Sequence, residues 1–105
     1  MENSLIDIRG ALETAVLRSL NGQELHGYAI VKRLNAVDGQ LFQTSEGTIY
    51  PLLIKLEGKR LIRSKWDARK KVYSITSDGL DALERNISDW KCYKESMSRF
   101  LEVKA

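Results

Sequence analysis

The chain has 105 residues and a mass of 12.0 kDa, which is the size of one small domain with at most a short extension. Hydrophobic residues make up 43% and charged residues 30%, a balance that excludes an intrinsically disordered chain. The formal net charge is +3, and a single cysteine, Cys92, excludes a disulfide-framed secreted scaffold. Because no apolar run is long enough for a membrane span or a signal peptide, we expect a cytoplasmic protein that does not enter membranes.

Three apolar stripes at helical spacing predict three helices in the first 60 residues. The first runs over residues 5–20 and is stopped by Asn21-Gly22, since Asn and Gly accept the left-handed backbone of a helix end. The second covers residues 29–37. The third begins after Ser45, a good N-cap residue, and ends at Gly58. Its stripe predicts four buried side chains: Ile49, Leu52, Leu53 and Leu56.

The period of the pattern then changes. Residues 61–66 and 71–76 are short and rich in β-branched and aromatic residues, which predicts two strands joined by a turn over residues 67–70. Thr76 is a candidate N-cap for a last helix over residues 77–103. Three helices followed by a hairpin is the element order of a winged helix-turn-helix. We therefore predict a mostly helical α+β fold, with a winged helix-turn-helix domain at 1–76 and a C-terminal dimerisation helix at 77–105.

The basic charge is concentrated in one part of the chain. Eight of the 17 basic residues lie in residues 55–71 against two acidic ones, so this segment carries +6 and the rest −3. A charge run is usually a solvated face. Here it falls on the end of the third helix and on the hairpin, where a winged helix would contact DNA. We predict ten DNA-binding residues on these elements: Ser45, Gly47, Thr48, Tyr50, Pro51, Lys55, Lys65, Arg69, Lys70 and Lys71.

The third helix and the hairpin are expected to play different parts in DNA binding. The face opposite the apolar stripe carries Tyr50 and Pro51, with Thr48 on its flank, and such a face suits contact with base edges. Alternatively, Tyr50 covers the edge of the core. The hairpin lysines and arginine are expected on phosphates.

The last helix carries an apolar seam that nothing later in the chain can cover. Its steps alternate between three and four residues, which is typical of a helix that pairs with another helix. Leaving the seam in water would be unfavourable by roughly 25 cal/mol per Å². We therefore predict a homodimer with interface residues Leu5, Ile8, Leu12, Leu83, Ile87, Trp90, Met97 and Leu101. Trp90 and its neighbour Tyr93 are candidate contacts for a small aromatic effector.

The sequence offers no constellation for catalysis, for a metal or for a cofactor. His26 is the only histidine and is expected to start the second helix and to bond locally. Cys92 is expected to be an inert thiol. No nucleophile motif or glycine-rich phosphate loop occurs, so we predict no enzymatic activity.

Three segments together resemble the PadR family of bacterial transcriptional regulators: LHGYAIVKRL at 25–34, SEGTIYPLLIKLEGKRLIRSKW at 45–66 and VYSITSDGLDAL at 72–83. The resemblance covers roughly residues 10–92. It implies a winged-helix repressor that dimerises through its C-terminal helix, with a recognition helix at 45–59 and a wing at 61–76. It also implies that an aromatic effector near the dimer interface could release DNA.

These observations predict a sequence-specific DNA-binding regulator, a homodimeric repressor that binds a palindromic operator. The alternative is a winged-helix protein-interaction module that uses its basic hairpin on an acidic partner. Selection of bound duplexes from a random pool distinguishes the two.

Overall fold

The protein is described here from a computed structural model, which covers residues 8–36 and 43–102. The elements in chain order are α1 (Ile8–Ser19), β1 (Leu25–His26), α2 (Gly27–Asn35), α3 (Glu46–Gly58), β2 (Ile62–Asp67), β3 (Lys70–Ile75) and α4 (Ser77–Leu101). The predicted mostly helical winged helix-turn-helix with a long C-terminal helix is confirmed. The start of the first predicted helix, the end of the second and the last residue of the fourth lie outside the described residues.

The hydrophobic core forms where α1, α2 and α3 meet the sheet and the first turns of α4. The four residues predicted to face inward from α3 are all buried. Burying one such aliphatic side chain stabilises the fold by about 1.5–3 kcal/mol. The stripe therefore fixes which face of α3 points inward. The other large core side chains, each at most 3% exposed, are Val16, Leu17, Leu20, Ile30, Leu34, Ile62 and Leu83.

The sheet has three antiparallel strands in the order β1-β3-β2, one more than the sequence predicts. The added strand, β1, pairs Leu25 with Tyr73 and His26 with Val72. His26 therefore belongs to the sheet, and it also starts α2 as its N-cap residue, without a capping bond from its side chain. The hairpin turn is also tighter than predicted, since Asp67 pairs with Lys70 and leaves two residues between the strands. A two-residue strand is too short for its periodicity to show in the sequence.

α3 ends at Gly58, as predicted, but the left-handed turn that follows it does not use a glycine. The residue in the left-handed conformation is Arg60, with a φ of 64°. Its amide donates to the Glu57 carbonyl at 2.9 Å, and the Leu61 amide donates to the Leu56 carbonyl at 3.0 Å. This pair of bonds is the Schellman arrangement, which satisfies the last carbonyls of the helix. An arginine is held there by these bonds and by the strand that follows.

Thr76 caps α4, as predicted. Its hydroxyl accepts a hydrogen bond from the Gly79 amide at 3.0 Å and donates to the Arg60 carbonyl at 2.8 Å. Gly79 is buried, and a Cβ added there would overlap the carbonyl oxygen of Leu61. The start of α4 is therefore seated directly on the backbone between α3 and β2.

Most of α4 extends beyond the core. Its 25 residues span about 37 Å, and the protein measures 56 × 27 × 22 Å along its principal axes. Only Gly79, Ala82 and Leu83 of this helix are buried. Further along, the Asn86 amide donates to the Thr14 hydroxyl of α1 at 3.1 Å. None of the described helices is long and apolar enough to cross a membrane.

Candidate nucleic-acid interface

The outer face of α3 is exposed from its first turn to its last. Gly47, Thr48, Pro51 and Ile54 are all exposed, and 71% of the Ile54 surface is open to solvent. Burial of the opposite stripe turns these residues outward. The face predicted to contact DNA is thus accessible to a ligand. The opposite face of α3 is buried and rigidly packed in the core.

Ser45 occupies the N-cap position of α3 in an extended conformation, as predicted, but its side chain accepts no hydrogen bond from the helix. The turn before it is held by Asn35 at the end of α2. The Asn35 amide donates to the Thr44 carbonyl at 2.9 Å, and the Thr44 amide donates to the Asn35 side-chain oxygen at 2.8 Å. The Thr48 amide donates to the Ser45 carbonyl at 3.1 Å, and the Ser45 hydroxyl caps none of the first-turn amides, so a phosphate can approach those that remain.

Tyr50 packs against Gly27, the first residue of α2. A Cβ added to Gly27 would lie 2.6 Å from the Tyr50 hydroxyl oxygen, which is closer than real Cβ contacts allow. A Cβ at position 27 would therefore have to displace the Tyr50 ring. Tyr50 remains 37% exposed, so it both covers the core edge and faces the outer surface of α3. Two of the three segments that carry the family resemblance, 25–34 and 45–66, meet at this contact.

The tip of the wing carries exposed cations without acidic partners. Arg69, Lys70 and Lys71 are exposed, and none forms an ion pair with an acidic side chain in the part of the chain that the structure describes. The Lys71 ammonium lies 5.7 Å from the centre of the Trp66 ring, within cation–π range. These three residues form a positive edge beside α3.

The lysines on α3 are placed differently. The Lys55 ammonium lies 2.9 Å from a Glu13 carboxylate oxygen, and the Lys59 ammonium lies 3.9 Å from the other oxygen of the same carboxylate. On the wing, Lys65 pairs with Glu24 at 3.6 Å. Two of the ten predicted DNA contacts, Lys55 and Lys65, are therefore already engaged by acids of the same chain. Glu13 lies 42 residues before Lys55, so no local pattern signals the pair.

A groove of about 580 Å³ runs between α3, the start of α2 and the wing. Sequence reasoning missed two aromatic side chains in its lining, Tyr28 and Trp66, which are 56% and 67% exposed. Trp66 pairs with Lys71 across the hairpin, and directly opposed residues share one face of a sheet. The position of Trp66 beside Lys71 could have been inferred from the way side chains alternate between the two faces of the hairpin. The residues lining the groove are His26, Gly27, Tyr28, Glu46, Tyr50, Ile54, Trp66, Arg69, Lys70, Lys71 and Tyr73.

The floor of this groove is held by a second set of polar contacts. Burial raises the pKa of the Tyr73 phenol, and the charges of Glu57 and Tyr50 raise that pKa further, so Tyr73 stays neutral at physiological pH. The Ser64 hydroxyl donates to the Glu57 carboxylate at 2.7 Å, which ties β2 to α3. At the wing tip, His26 Nε2 lies 3.5 Å from an Asp67 carboxylate oxygen.

The apolar seam of α4 is partly exposed. Ile87 is 37% and Leu101 61% exposed, whereas Trp90 and Met97 are half-buried. The rings of Trp90 and Tyr93 pack edge to face, with centroids 5.5 Å apart and planes at 80°. The two candidate effector contacts are thus neighbours on one helix face.

Two of the predicted interface residues, Leu83 and Leu12, pack against the core of their own chain. Leu83 is only 2% exposed and packs in the core of its own chain, so it leaves little surface for a second copy to cover. Leu12 packs partly against the same core. Leu5 lies outside the described residues, and the Ile8 side chain is not described. Among described residues, no cluster of three or more His, Cys, Asp or Glu side chains could hold a metal ion.

The sequence and the fold were compared with those of known proteins. Residues 16–85 match the profile of the Transcriptional regulator PadR-like family. The chain is 30% identical over 100 residues to an uncharacterized protein of Lysinibacillus sphaericus, covering 90% of this chain and 92% of the relative. A transcriptional regulator from Clostridium thermocellum has a similar structure, with a TM-score of 0.84, 26% identity, and coverage of 90% of this chain and 97% of that one.

A second similar structure is that of Bacillus subtilis PadR in complex with operator DNA. The TM-score is 0.62 at 32% identity, and the match covers 76% of this chain and 45% of that one. The family profile spans two thirds of the sequence and includes α2, α3 and the wing. The chain therefore belongs to the PadR-like family of transcriptional regulators.

Proposed function

We propose that the protein is a sequence-specific DNA-binding repressor that acts as a homodimer. The observation that carries this proposal is the exposed outer face of α3 beside the wing-tip cations Arg69, Lys70 and Lys71, which form no ion pair with the described acidic side chains. A helix of this kind fits the major groove, and the adjacent cations suit the phosphates at its edge. The relative from Bacillus subtilis, solved with operator DNA, supports this assignment.

Within this interface, Thr48 and Tyr50 are proposed to contact base edges. Ser45 and Gly47 are proposed to let a phosphate approach the first turn of α3, because the Ser45 side chain leaves its amides uncapped. Lys65, Arg69, Lys70 and Lys71 are proposed to contact phosphates. Lys55 would contact a phosphate only after its ion pair with Glu13 has broken. A regulator that works on DNA in this way would act in the cytoplasm of a bacterium.

The dimer is proposed to form through α4, with residues 77–105 as the dimerisation segment. The exposed apolar positions on this helix, Ile87, Phe100 and Leu101, continue the half-buried Trp90 and Met97. A second copy would cover this surface and would place two α3 helices about one DNA turn apart, so the operator should be an inverted repeat. Trp90 and Tyr93 at that interface are proposed to contact a flat aromatic effector, which would release DNA by changing the spacing of the two α3 helices.

Two measurements test this proposal. Selection of bound duplexes from a random pool by the purified protein should return an inverted repeat with half-site centres about 10 bp apart. Light scattering should give about twice the chain mass of 12.0 kDa. Recovery of unselected sequences only, or binding to an acidic protein in the presence of excess DNA, would favour the protein-interaction alternative.

A further inference from the structure

The centre of the outer face of α3 carries no hydrogen-bonding side chain. At 100° per residue, Gly47, Pro51, Ile54 and Gly58 fall within a sector of about 60°, and all four are exposed. Ile54 has the largest side chain of the four. The part of α3 that would point to the floor of the major groove is therefore hydrocarbon and bare backbone.

Polar side chains lie only on the flanks of this stripe. Thr48 and Lys55 fall about 80–100° from Gly47 on one side, and Tyr50 falls about 60° away on the other. Lys55 is drawn to Glu13 on α1, which keeps its ammonium group away from the centre. The centre of α3 thus cannot read bases through hydrogen bonds from side chains.

Duplex DNA offers one apolar group in its major groove. The base pairs present donors and acceptors there, and thymine adds its C5 methyl group. Pro51 and Ile54 side chains neither donate nor accept hydrogen bonds, so the methyl group is the only feature of a base edge that complements them. The glycines at both ends of the stripe place no side chain between the helix and the DNA.

The surroundings of Ile54 favour DNA over a protein as the occupant of this surface. Ile54 and Trp66 line the same groove as Arg69, Lys70 and Lys71. A polyanion that presents an apolar group between its charged edges matches both the cations and the hydrocarbon. The net charge of +6 on residues 55–71 adds to this complementarity.

We propose that Ile54 reads the C5 methyl group of a thymine in each half-site, with Pro51 extending the same apolar surface. The inference rests on the proposed function, since it names the chemical feature of the operator that α3 recognises. It makes Ile54 a specificity-determining residue whose contribution comes from hydrocarbon contact alone.

The test replaces thymines of the selected operator by uracil one position at a time. Uracil keeps every base-pairing and groove hydrogen-bond group of thymine and lacks only the methyl group. Burial of one methyl group predicts a loss of about fourfold in affinity when one half-site is changed, and of roughly fifteenfold when both are. The Ile54→Ala variant removes three carbons from this contact, so it should bind the thymine operator at least as weakly as the wild type binds the uracil operator, and replacing thymine by uracil should then have little further effect.

Lys70→Ala is the matched control, because it lowers overall affinity and should leave the uracil effect unchanged. Ile54 is 71% exposed, so its replacement should not alter thermal unfolding, which is checked by circular dichroism. If the wild type tolerates uracil at every position while still selecting an operator, the inference falls and the proposed function stands. An uracil effect that persists in Ile54→Ala also overturns the inference. Failure to bind any duplex would instead overturn the proposed function.

Discussion

The two basic regions of this protein look alike in sequence and differ in the folded chain. The end of α3 contributes Lys55 and Lys59, and both share the carboxylate of Glu13. The wing tip contributes Lys70 and Lys71, which have no acidic partner among the described residues. A count of charges treats the two regions as one patch. Under the proposed function, the two wing-tip lysines are available to phosphate at once, whereas Lys55 and Lys59 must first leave Glu13.

The sharpest test of this difference is Lys70→Ala combined with Lys71→Ala. Each phosphate contact adds about 0.9 to the slope of log K against log salt, so the double variant should flatten the slope by about 1.8. At 0.15 M salt this corresponds to a loss of roughly 30-fold, equal for operator and random DNA. Fluorescence anisotropy over a salt series measures both quantities. Lys55→Ala should flatten the slope less than Lys70→Ala does, and an equal effect would contradict the comparison.

A second test disturbs the α3 region alone. Gly27→Ala forces a methyl group against the Tyr50 ring and should destabilise the fold by about 1 kcal/mol, the low end of the range for overpacking, because the ring is 37% exposed and can shift. Because Tyr50 moves and the wing does not, operator binding should weaken more than binding to random DNA. Urea unfolding measures the first effect. Tyr50→Ala in the same chain should relieve it, and a double variant no more stable than Gly27→Ala alone would refute the contact.

Glu13→Gln should release Lys55 and Lys59 and thereby raise DNA affinity. Partly exposed ion pairs are worth about 0.2–1 kcal/mol, so we expect a gain of about threefold and a steeper salt slope. Glu84→Gln removes the same charge from an exposed position on α4 and serves as the control. Equal gains from both variants would show that overall charge, and not the Glu13 ion pair, sets the affinity of α3.

The smallest expected effect concerns the wing turn. Ala68 has a φ of 60°, where a Cβ is unfavourable by about 1–2 kcal/mol. Ala68→Gly removes this strain but increases the entropy of the unfolded chain, so a net stabilisation of about 0.5 kcal/mol is expected from thermal unfolding. DNA affinity should stay within twofold of wild type. A loss of stability would mean that the turn is not strained.

The sequence alone determined the elements whose signal is local. The apolar stripe of α3, the capping of α4 by Thr76 and the alternation of the hairpin all follow from neighbours within a few residues. The charge concentration in residues 55–71 and the motifs of the PadR family are also properties of contiguous segments. These features were enough to predict the fold class and to place the candidate interface on α3 and the wing.

Only the tertiary structure decided which of the candidate residues are available and how they are held. Glu13 contacts Lys55, which lies 42 residues later, and Gly27 contacts Tyr50, which lies 23 residues later. In neither pair does the sequence around one residue indicate its partner. The same holds for β1, whose two residues form a strand only because β3 offers them an edge. Leu83 belongs to the helical seam by spacing and to the core by packing. Each of these outcomes depends on contacts between distant parts of the chain, which periodicity and composition do not record.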